Sequence, residues 1–355
     1  MYGGKIILRY EDTNPGTERL EYYAAIKVGM DWLGIQFDKI EHVSDNLENL
    51  YENAEKLIKS NDAYVCTCKQ DTISKNRREM TECECTRRSI QENEQMWHEM
   101  FGEKKFKEGQ ALLRFRGDMK SGNTTMRDPT LFRINTKKHA RADQKYRVWP
   151  TYDFAGIIFD SNSGVTHAMR SKEFELRKEL HYNILDKLGM EKAEFIFFGR
   201  LDLEGMPVSK SELKPLIENG KIPWYDDPRL PTLEGLRRRG IRPEAVRKFI
   251  ISLGLTKNDT NSPFATLEAF NKKIVDSENA EKKIQWVAGN DALQIKAIIP
   301  DLLFIDEKFN KDSLLTQEVI TESAYSNLKD NAEIQFVRLG YYRKESSHQA
   351  IFSHK

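Results

Sequence analysis

Trp149-Pro-Thr-Tyr-Asp-Phe-Ala-Gly-Ile-Ile-Phe-Asp160 is the stretch that decides how this chain is interpreted. Within it, Ala155 to Phe159 form a short apolar run that follows Pro150 and ends at polar residues. This pattern is typical of a strand that is covered on both faces. Further along, Lys172 to Leu188 have the pattern of a helix that ends at Gly189. The stretch therefore predicts a buried strand, a turn and the start of a helix.

Two side chains near this predicted strand end are candidates for ligand binding, Tyr152 and Arg170. Open α/β sheets bind ligands at the ends of their strands, beside the starts of helices. The planar guanidinium of Arg170 can hold a carboxylate through two parallel charge-assisted hydrogen bonds. The alternative is an arginine that caps a surface helix.

The residues before this stretch alternate between strand-like and helix-like patterns. Lys5 to Arg9 are predicted as a strand, and a helix is expected from Pro15 to Leu33. Leu47 to Leu57 indicate a second helix, and Tyr64 to Cys66 the next strand. We expect an inserted domain after this strand and expect the same sheet to resume at residues 146–150. The order favours an α/β fold.

The length and composition limit the class of protein. A chain of 355 residues has room for about two or three domains. Lys and Arg number 56 and Asp and Glu 55, so a nucleic-acid surface would have to be a local patch. We see no apolar run of about 18 residues and no charged leader, which predicts a cytoplasmic protein without a membrane segment.

The four cysteines form two close pairs, Cys66 with Cys68 and Cys83 with Cys85. In a cytoplasmic chain, two such pairs indicate a tetrahedral zinc site more than disulfides. The C-x-C spacing also fits four reduced thiols without a metal. In either case no catalysis is expected here, because four thiolates leave zinc no open position.

Two further polar stretches could contact phosphates. Ser209, Lys210 and Ser211 follow a strand and could present an ammonium and hydroxyls to a triphosphate. A basic patch could contact a nucleic-acid backbone or form a solvated helix face; it includes Arg237, Arg238, Arg239 and Arg247. From about Ser262 strand-like segments indicate a β module, whose last residues, 344–355, are expected to be frayed.

Together these residues resemble the glutamyl- and glutaminyl-tRNA synthetases, and most closely a glutamyl-tRNA synthetase of the archaeal and eukaryotic type. Five ordered blocks carry the resemblance: Leu8-Arg-Tyr-Glu-Asp-Thr-Asn-Pro15, the cysteine pairs, Trp149 to Glu173, Val208-Ser-Lys-Ser211 and Asp226 to Phe249. A weaker sixth block combines Lys282-Lys-Ile-Gln-Trp286 with Ile334-Gln-Phe-Val-Arg338.

The resemblance implies a Rossmann-like class I synthetase domain, incomplete at its N-terminus, with an acceptor-binding insert, a helical domain and a shortened β-barrel. The implied domains are residues 1–65 (first half of the catalytic domain), 66–145 (insert), 146–215 (second half), 216–272 (helical) and 273–355 (barrel module). The implied reaction joins glutamate to tRNA(Glu) through glutamyl-adenylate, with ATP and Mg²⁺.

The resemblance also implies roles for the candidate residues. Glu11 and Tyr152 would hold the α-amino group of glutamate, and Arg170 its side-chain carboxylate. The ATP phosphates would be bound by Ser209, Lys210 and Ser211. The tRNA would be contacted by Arg237, Arg238, Arg239 and Arg247, while Cys66, Cys68, Cys83 and Cys85 would lie in the acceptor-binding insert.

Three departures from the family pattern limit these expectations. The HIGH signature of the family does not precede Lys5, and Pro207 replaces the first lysine of the KMSKS-type loop. In addition, Asn271 to Asp276 lie a few residues before Lys282 to Trp286, although the family has much of its anticodon-binding barrel between them. We therefore expect a poor catalyst when this chain is alone. A non-catalytic tRNA-binding paralogue and a split synthetase completed by a separate chain with the HIGH segment are the alternatives.

Overall fold

The computed structural model describes residues 3–102, 105–207, 209–278, 283–284, 287–337 and 339–355. The chain divides into two compact units. The first contains Met1–Lys27 and Gln36–Phe198, and the second contains Val28–Ile35 and Gly199–Lys355.

The helices are α1 Leu20–Trp32, α2 Leu47–Lys59, α3 Gln70–Glu79, α4 Ile90–Phe101, α5 Tyr152–Asn162, α6 Arg177–Leu188, α7 Lys210–Glu218, α8 Leu233–Arg239, α9 Pro243–Leu253 and α10 Phe264–Glu278. No helix in the described ranges has both the length and the apolar character needed to cross a bilayer.

The strands of the first unit are β1 Ile7–Tyr10, β2 Lys39–His42, β3 Ala63–Cys66, β4 Leu112–Phe115, β5 Thr130–Ile134, β6 Val148–Pro150, β7 His167–Ser171 and β8 Glu194–Phe198. Those of the second unit are β9 Leu201–Leu203, β10 Thr260–Ser262, β11 Lys283–Ile284, β12 Ala292–Pro300, β13 Phe304–Ile305, β14 Lys308–Phe309, β15 Leu314–Glu322, β16 Glu333–Phe336, β17 Gly340–Ser346 and β18 Gln349–His354.

The first unit combines parallel and antiparallel strands. β1 pairs in parallel with β2, and β7 pairs in parallel with β8, as two separate two-stranded sheets. A four-stranded antiparallel sheet, in the order β3-β4-β5-β6, lies between them in sequence. The prediction that β3 and β6 belong to the parallel sheet was therefore wrong: both close the antiparallel insert.

The predicted strand at Ala155 to Phe159 is a helix in the structure, α5. Residues 153–160 are all buried, so both faces of the helix carry apolar side chains. A helix that is buried all round has no polar stripe, and its apolar run cannot be distinguished from a buried strand by periodicity. The strand that was missed, β7, is mostly exposed or half-buried and therefore has no apolar run.

One hydrophobic core joins these elements in the first unit. Trp97 of α4 and Phe132 of β5 are fully buried, and Phe132 packs edge-to-face against both Trp97 and Phe154 of α5. Leu180 of α6 belongs to the same cluster. The core therefore fixes α5 between the antiparallel sheet and α6, which positions Tyr152 and the residues that follow it.

The helix expected from Pro15 begins later, at Leu20, because residues 14–17 form a turn in which the amide of Thr17 donates to Asn14. Gly34 follows this helix with a φ of 70°, which is a backbone conformation that glycine adopts without strain.

The second unit contains a six-stranded sheet in the order β11-β16-β17-β18-β12-β15. The prediction that residues 344–355 are frayed was wrong, because β18 pairs with both β12 and β17. Ile351 and His354 are buried there, and Ser353 donates to the carbonyl of Gly240 after α8. The C-terminal strand is therefore an internal part of this unit.

Candidate active site

Three of the predicted site residues lie in the first unit, on three different elements. Glu11 follows β1 directly, Tyr152 is the first residue of α5, and Arg170 is in β7. The aromatic ring of Tyr152 lies 5.4 Å from the Arg170 guanidinium carbon. An ideal Cβ at Gly156 would lie 3.4 Å from both Glu11 Oε1 and the Tyr152 ring. The three residues are thus brought together around α5.

The guanidinium of Arg170 is held on several sides. It donates to Asp160 Oδ2 at 2.6 Å, and its carbon lies 4.3 Å from the centre of the Phe195 ring. Only 8% of the residue is exposed. A guanidinium stacked on aromatic rings keeps a fixed plane, which favours two parallel bonds to a carboxylate. The alternative that Arg170 caps a surface helix does not fit this buried position.

A buried histidine supports the inner side of Arg170. His181 Nε2 lies 2.9 Å from Asp153 Oδ1, and His181 Nδ1 lies 3.3 Å from an Arg170 nitrogen. Burial lowers the pKa of His181, which favours the neutral ring. A neutral ring that donates to Asp153 can accept from Arg170. His181 therefore links α5 and α6 to the arginine.

Asp160 connects the β1–β2 pair to the β7–β8 pair, because it accepts a hydrogen bond from one arginine of each pair. Its carboxylate accepts from Arg170 at 2.6 Å and from Arg9 of β1 at 2.7 Å. Arg9 also donates to Glu41 of β2 at 3.2 Å. Because Asp160 is on α5, this single carboxylate aligns β1 and β7 on the same helix.

Glu11 is a weakly paired carboxyl of the site. Its Oε1 lies 3.8 Å from Arg9, and its Oε2 is buried without a hydrogen-bond partner among the described residues. Burial raises the pKa of Glu11 to about 7, while the Arg9 charge opposes this increase. A buried carboxyl without a partner is suited to bind a cation that displaces its proton.

The site therefore offers a fixed guanidinium and a carboxyl oxygen without a hydrogen-bond partner among the described residues, both near Tyr152. A small zwitterion with one additional carboxylate matches these charges, because the ammonium can meet Glu11 and a carboxylate can meet Arg170. The side chains present here bind and orient; none is placed as a nucleophile.

The Ser-Lys-Ser segment lies in the second unit. Ser209 is the N-cap of α7 and forms a reciprocal capping box with Glu212. Its hydroxyl also lies 3.0 Å from that of Ser211. Lys210 is the first residue of α7, but its side chain and all of Val208 lie outside the described part of the structure. The start of α7 provides backbone amides of the kind that bind phosphates.

The four cysteines come together at the edge of the antiparallel sheet. All four sulfurs lie within 4.8 Å of one another, with Cys66 and Cys83 3.9 Å apart and Cys68 and Cys85 3.8 Å apart. Four sulfurs at about 2.3 Å from a tetrahedral zinc ion would be about 3.8 Å apart. The four cysteines therefore fit zinc.

A buried arginine lies beside these sulfurs. Arg114 of β4 is 1% exposed, and its guanidinium is 3.8 Å from Cys66 and 3.9 Å from Cys83. Burial and the neighbouring sulfurs raise the pKa of Cys68 to about 11. A nearby positive charge favours thiolates, which are the form that binds a metal.

The basic residues of the second unit differ in exposure. Arg237 is exposed, and Arg238 pairs with Glu345 at 2.6 Å. Arg247 pairs with Glu244 at 3.3 Å. The expectation that Arg239 contacts tRNA needs correction: it is 4% exposed and pairs with Glu268 while it covers the Phe264 ring. Arg239 therefore stabilises the packing of this unit.

Four residues of the site were not singled out from the sequence: Arg9, Asp153, Asp160 and His181. Arg9, Asp153 and Asp160 lie within the quoted motifs, so their charges beside the predicted site residues were the available signal. Nothing in the sequence around His181 distinguishes it from other polar residues on a helix.

Family models match nearly the whole chain. Residues 1–277 match the catalytic domain of "tRNA synthetases class I (E and Q)", and residues 283–345 match the anticodon-binding domain of the same group. The chain is 48% identical to the glutamate–tRNA ligase of Nitrosopumilus maritimus (strain SCM1), covering 100% of this chain and 77% of the relative. It is 44% identical to that of Cenarchaeum symbiosum (strain A), covering 100% and 78%.

The alignment with the Nitrosopumilus protein extends over 442 positions and exceeds the 355 residues of this chain by 87. The relative therefore has at least that many residues, inside the matched span, that this chain lacks. This agrees with the shortened interval between residues 276 and 282.

A solved structure shares the fold. The glutamate tRNA ligase from Elizabethkingia meningosepticum CCUG26117, crystallised in complex with its amino acid, matches with a TM-score of 0.56 at 17% identity. The match covers 78% of this chain and 64% of that chain. From the two family models and the full-length similarity, the chain belongs to the class I tRNA synthetases of the E and Q group.

Proposed function

We propose that this chain is a glutamate–tRNA ligase, which activates glutamate with ATP and transfers it to the 3′ end of tRNA(Glu). The observation that carries the proposal is Arg170, whose guanidinium is fixed by Asp160 and by the Phe195 ring. A fixed guanidinium that faces the side chain of the substrate favours the carboxylate of glutamate over the amide of glutamine. Two relatives that carry this activity in their names support the same substrate.

The residues of the first unit would bind and orient the amino acid. Glu11 and Tyr152 would hold the α-ammonium, and Arg170 the side-chain carboxylate. The α-carboxylate of glutamate would then be free to attack the α-phosphate of ATP, so no protein nucleophile is needed. Ser209, Lys210 and Ser211, with the start of α7, would bind the phosphates, and Mg²⁺ would accompany ATP as the family implies.

The experiment is ATP–pyrophosphate exchange with tRNA(Glu) present, using glutamate, glutamine and aspartate in turn. We expect exchange with glutamate only. Calorimetry provides a second measurement that does not depend on turnover, and glutamate should bind more tightly than glutamine. Preference for glutamine in either measurement would exclude the proposed specificity.

Low activity of this chain alone stays a prediction, based on the separate β1–β2 and β7–β8 pairs and on Pro207. A parallel assay with the Nitrosopumilus relative provides the reference rate. Equal exchange rates for the two proteins would contradict the prediction. Binding of tRNA without exchange would instead favour the non-catalytic alternative, and exchange restored by a separate chain with the HIGH segment would favour a split synthetase.

The remaining assignments are proposals of the same kind. The domain limits at residues 215 and 272 follow the resemblance, whereas the insert includes β3 and β6 and extends beyond the implied limits at 65 and 145. A cytoplasmic location follows from the family's role. Arg237, Arg238 and Arg247 are proposed to contact the tRNA backbone, since Lys and Arg on one surface bind phosphates without reading sequence.

Cys66, Cys68, Cys83 and Cys85 are proposed to bind one structural zinc ion. The sulfur distances and the nearby Arg114 charge support this. Such a site would stabilise the insert and would leave no position open for catalysis.

Metal analysis of the purified chain should give about one zinc per molecule. Cys83→Ser should remove the zinc and lower Tm, because a four-thiolate site stabilises the fold that it connects. Ser89→Ala, a substitution at the N-cap of α4 in the same insert, is the matched control and should keep its zinc. Four reactive thiols and no zinc in the unaltered chain would exclude the site.

A further inference from the structure

The six-stranded sheet of the second unit ends in a long strand with an open edge. β15 pairs with β12 in an unbroken antiparallel register from Ala292 opposite Glu322 to Pro300 opposite Leu314. Among the described residues, no strand pairs with its other edge. Within the described ranges, the only backbone hydrogen bonds of β15 are those to β12. About every second residue of the nine therefore presents an unpaired amide and carbonyl along one edge.

This edge has few of the features that prevent pairing with another strand, and its charged residues are Glu318 and Glu322. β15 contains no proline, lysine or glycine, and its register with β12 has no bulge. Three of its apolar side chains are exposed: Leu314 by 38%, Leu315 by 50% and Ile320 by 63%. Long, regular and apolar edge strands associate with other strands unless charges, prolines or bulges block them.

The sequence of β15 is suited to pair with a second copy of itself that runs in the opposite direction. Around Gln317, an antiparallel copy would place Leu314 opposite Ile320 and Leu315 opposite Val319. Thr316 would face Glu318, so no two like charges would be opposed between Leu314 and Ile320. A two-fold axis perpendicular to the sheet leaves a given side chain on the same face of the sheet in both copies. Apolar residues would therefore lie opposite apolar residues on both faces.

Neighbouring registers do not have this property. An axis at Glu318 would place that carboxylate opposite its own copy, and like charges directly opposite are unfavourable. An axis at Thr316 would leave Ile320 without an apolar partner. The complementarity therefore selects one register and one type of partner.

We propose that β15 pairs antiparallel with β15 of a second copy of this chain, with the two-fold axis at Gln317. The two six-stranded sheets would become one continuous sheet of twelve strands across the dimer. The interface is isologous, so each apolar pair forms twice. This proposal does not depend on the ligase activity.

Sedimentation equilibrium over a range of protein concentrations tests the dimer. Ile320→Lys and Leu314→Glu, made separately, should each raise the dimer dissociation constant by about tenfold, since each change removes both symmetric Leu–Ile contacts. The double variant should recover most of the affinity, because Lys and Glu then face each other. A mixture of the two single variants should form a heterodimer for the same reason.

Ile251→Lys is the matched control, because Ile251 is exposed by 76% on α9 of the same unit. It should leave the dissociation constant unchanged. Thermal unfolding of each variant shows whether the exposed substitutions leave the fold intact. The proposal is overturned if the unaltered chain stays monomeric at all concentrations, or if it forms a dimer that Ile320→Lys does not weaken. Rescue in the double variant alone establishes the register.

Discussion

Residues that would not themselves contact the amino acid hold Arg170 in the position from which it would bind the substrate. Asp160 and His181 occupy one side of its guanidinium, and the rings of Tyr152 and Phe195 lie next to it. A planar cation fixed in this way loses little conformational entropy when it binds a carboxylate. Specificity for glutamate is therefore expected to depend on Asp160 and His181 as well as on Arg170.

Replacing Arg170 with Ala should weaken glutamate binding far more than ATP binding. Loss of two charge-assisted hydrogen bonds predicts an increase of about a hundredfold in the KM for glutamate. The KM for ATP should change by less than about threefold, because Arg170 is assigned to the amino acid alone. Both constants follow from exchange assays. Arg141→Ala removes an exposed arginine of the same unit that pairs with Asp45, and it should change neither constant. Equal losses for both substrates would contradict the assigned role.

The ionisation of Glu11 should make glutamate binding depend on pH. Its pKa of about 7 means that a proton must leave before the ammonium of glutamate can pair with it. The KM for glutamate should therefore fall as the pH rises from about 6.5 to 8. In Glu11→Gln the KM should be higher and should lose this dependence. A pH dependence that persists in Glu11→Gln would assign the titration to another group.

The raised pKa of Glu11 also makes the stability of the folded chain depend on pH. A rise in pH is expected to favour glutamate binding but to lower stability. The folded chain holds the Glu11 proton up to a pKa of about 7, whereas the unfolded chain loses it near 4.5. Between these values the folded state binds more protons, so its stability falls as the pH rises. Tm should therefore decline as the pH rises between these values, and Glu11→Gln should remove the part of this decline that comes from Glu11.

At the level of elements, α5 shows where sequence interpretation succeeded and where it failed. The motif from Trp149 to Asp160 contains Tyr152, which the structure places near Glu11 and Arg170, although its secondary structure was predicted as a strand. Burial of both faces of α5 erased the periodicity that distinguishes a helix. Helix α2, which has a polar face, was predicted correctly because that periodicity was present.

The contacts within the site could not be predicted in the same way. The pairing of Arg9 with Asp160 joins residues that are 151 positions apart, and it depends on how β1 packs against α5. A local pattern contains no information on such a distance. The match to family motifs did identify Glu11, Tyr152 and Arg170, because those residues belong to contiguous blocks.

Gly156 in α5 is expected to preserve space for the amino group of the ligand. A helix-interior glycine costs about 1 kcal/mol relative to alanine. Its position is close to both Glu11 and the Tyr152 ring, since an added Cβ would lie 3.4 Å from each. Gly156→Ala should therefore keep or raise Tm while it raises the KM for glutamate by about tenfold, which is about 1.4 kcal/mol.

A second alanine separates the pocket effect from a general effect on helices. Gly102→Ala lies directly after α4, where an added Cβ would have no heavy atom closer than 3.9 Å. It should leave the KM for glutamate unchanged. If Gly156→Ala also leaves it unchanged, the space beside Glu11 is not used by the ligand.

For the molecule as a whole, the ordered motifs predicted the family, and the two family models confirm it. The sequence also indicated that the C-terminal module is short relative to the family. The 87 additional positions of the Nitrosopumilus relative agree with this, although they lie somewhere inside the matched span. What remains is a six-stranded sheet with an open edge at β15, a feature that no motif predicts.

The shortened module leads to a prediction about tRNA recognition. Base-specific contacts contribute about 1–3 kcal/mol each, and a C-terminal module shorter than the family's, as the sequence predicts, would offer fewer of them. The dissociation constant for tRNA(Glu) should therefore change by less than about threefold when the anticodon bases are replaced, because phosphate contacts from the remaining surfaces do not read sequence. Filter binding at fixed salt measures this, and a tRNA with a disrupted acceptor stem is the control that should bind more weakly. A loss of about tenfold or more on anticodon replacement, equivalent to one specific base contact, would show that the remaining strands still read the anticodon.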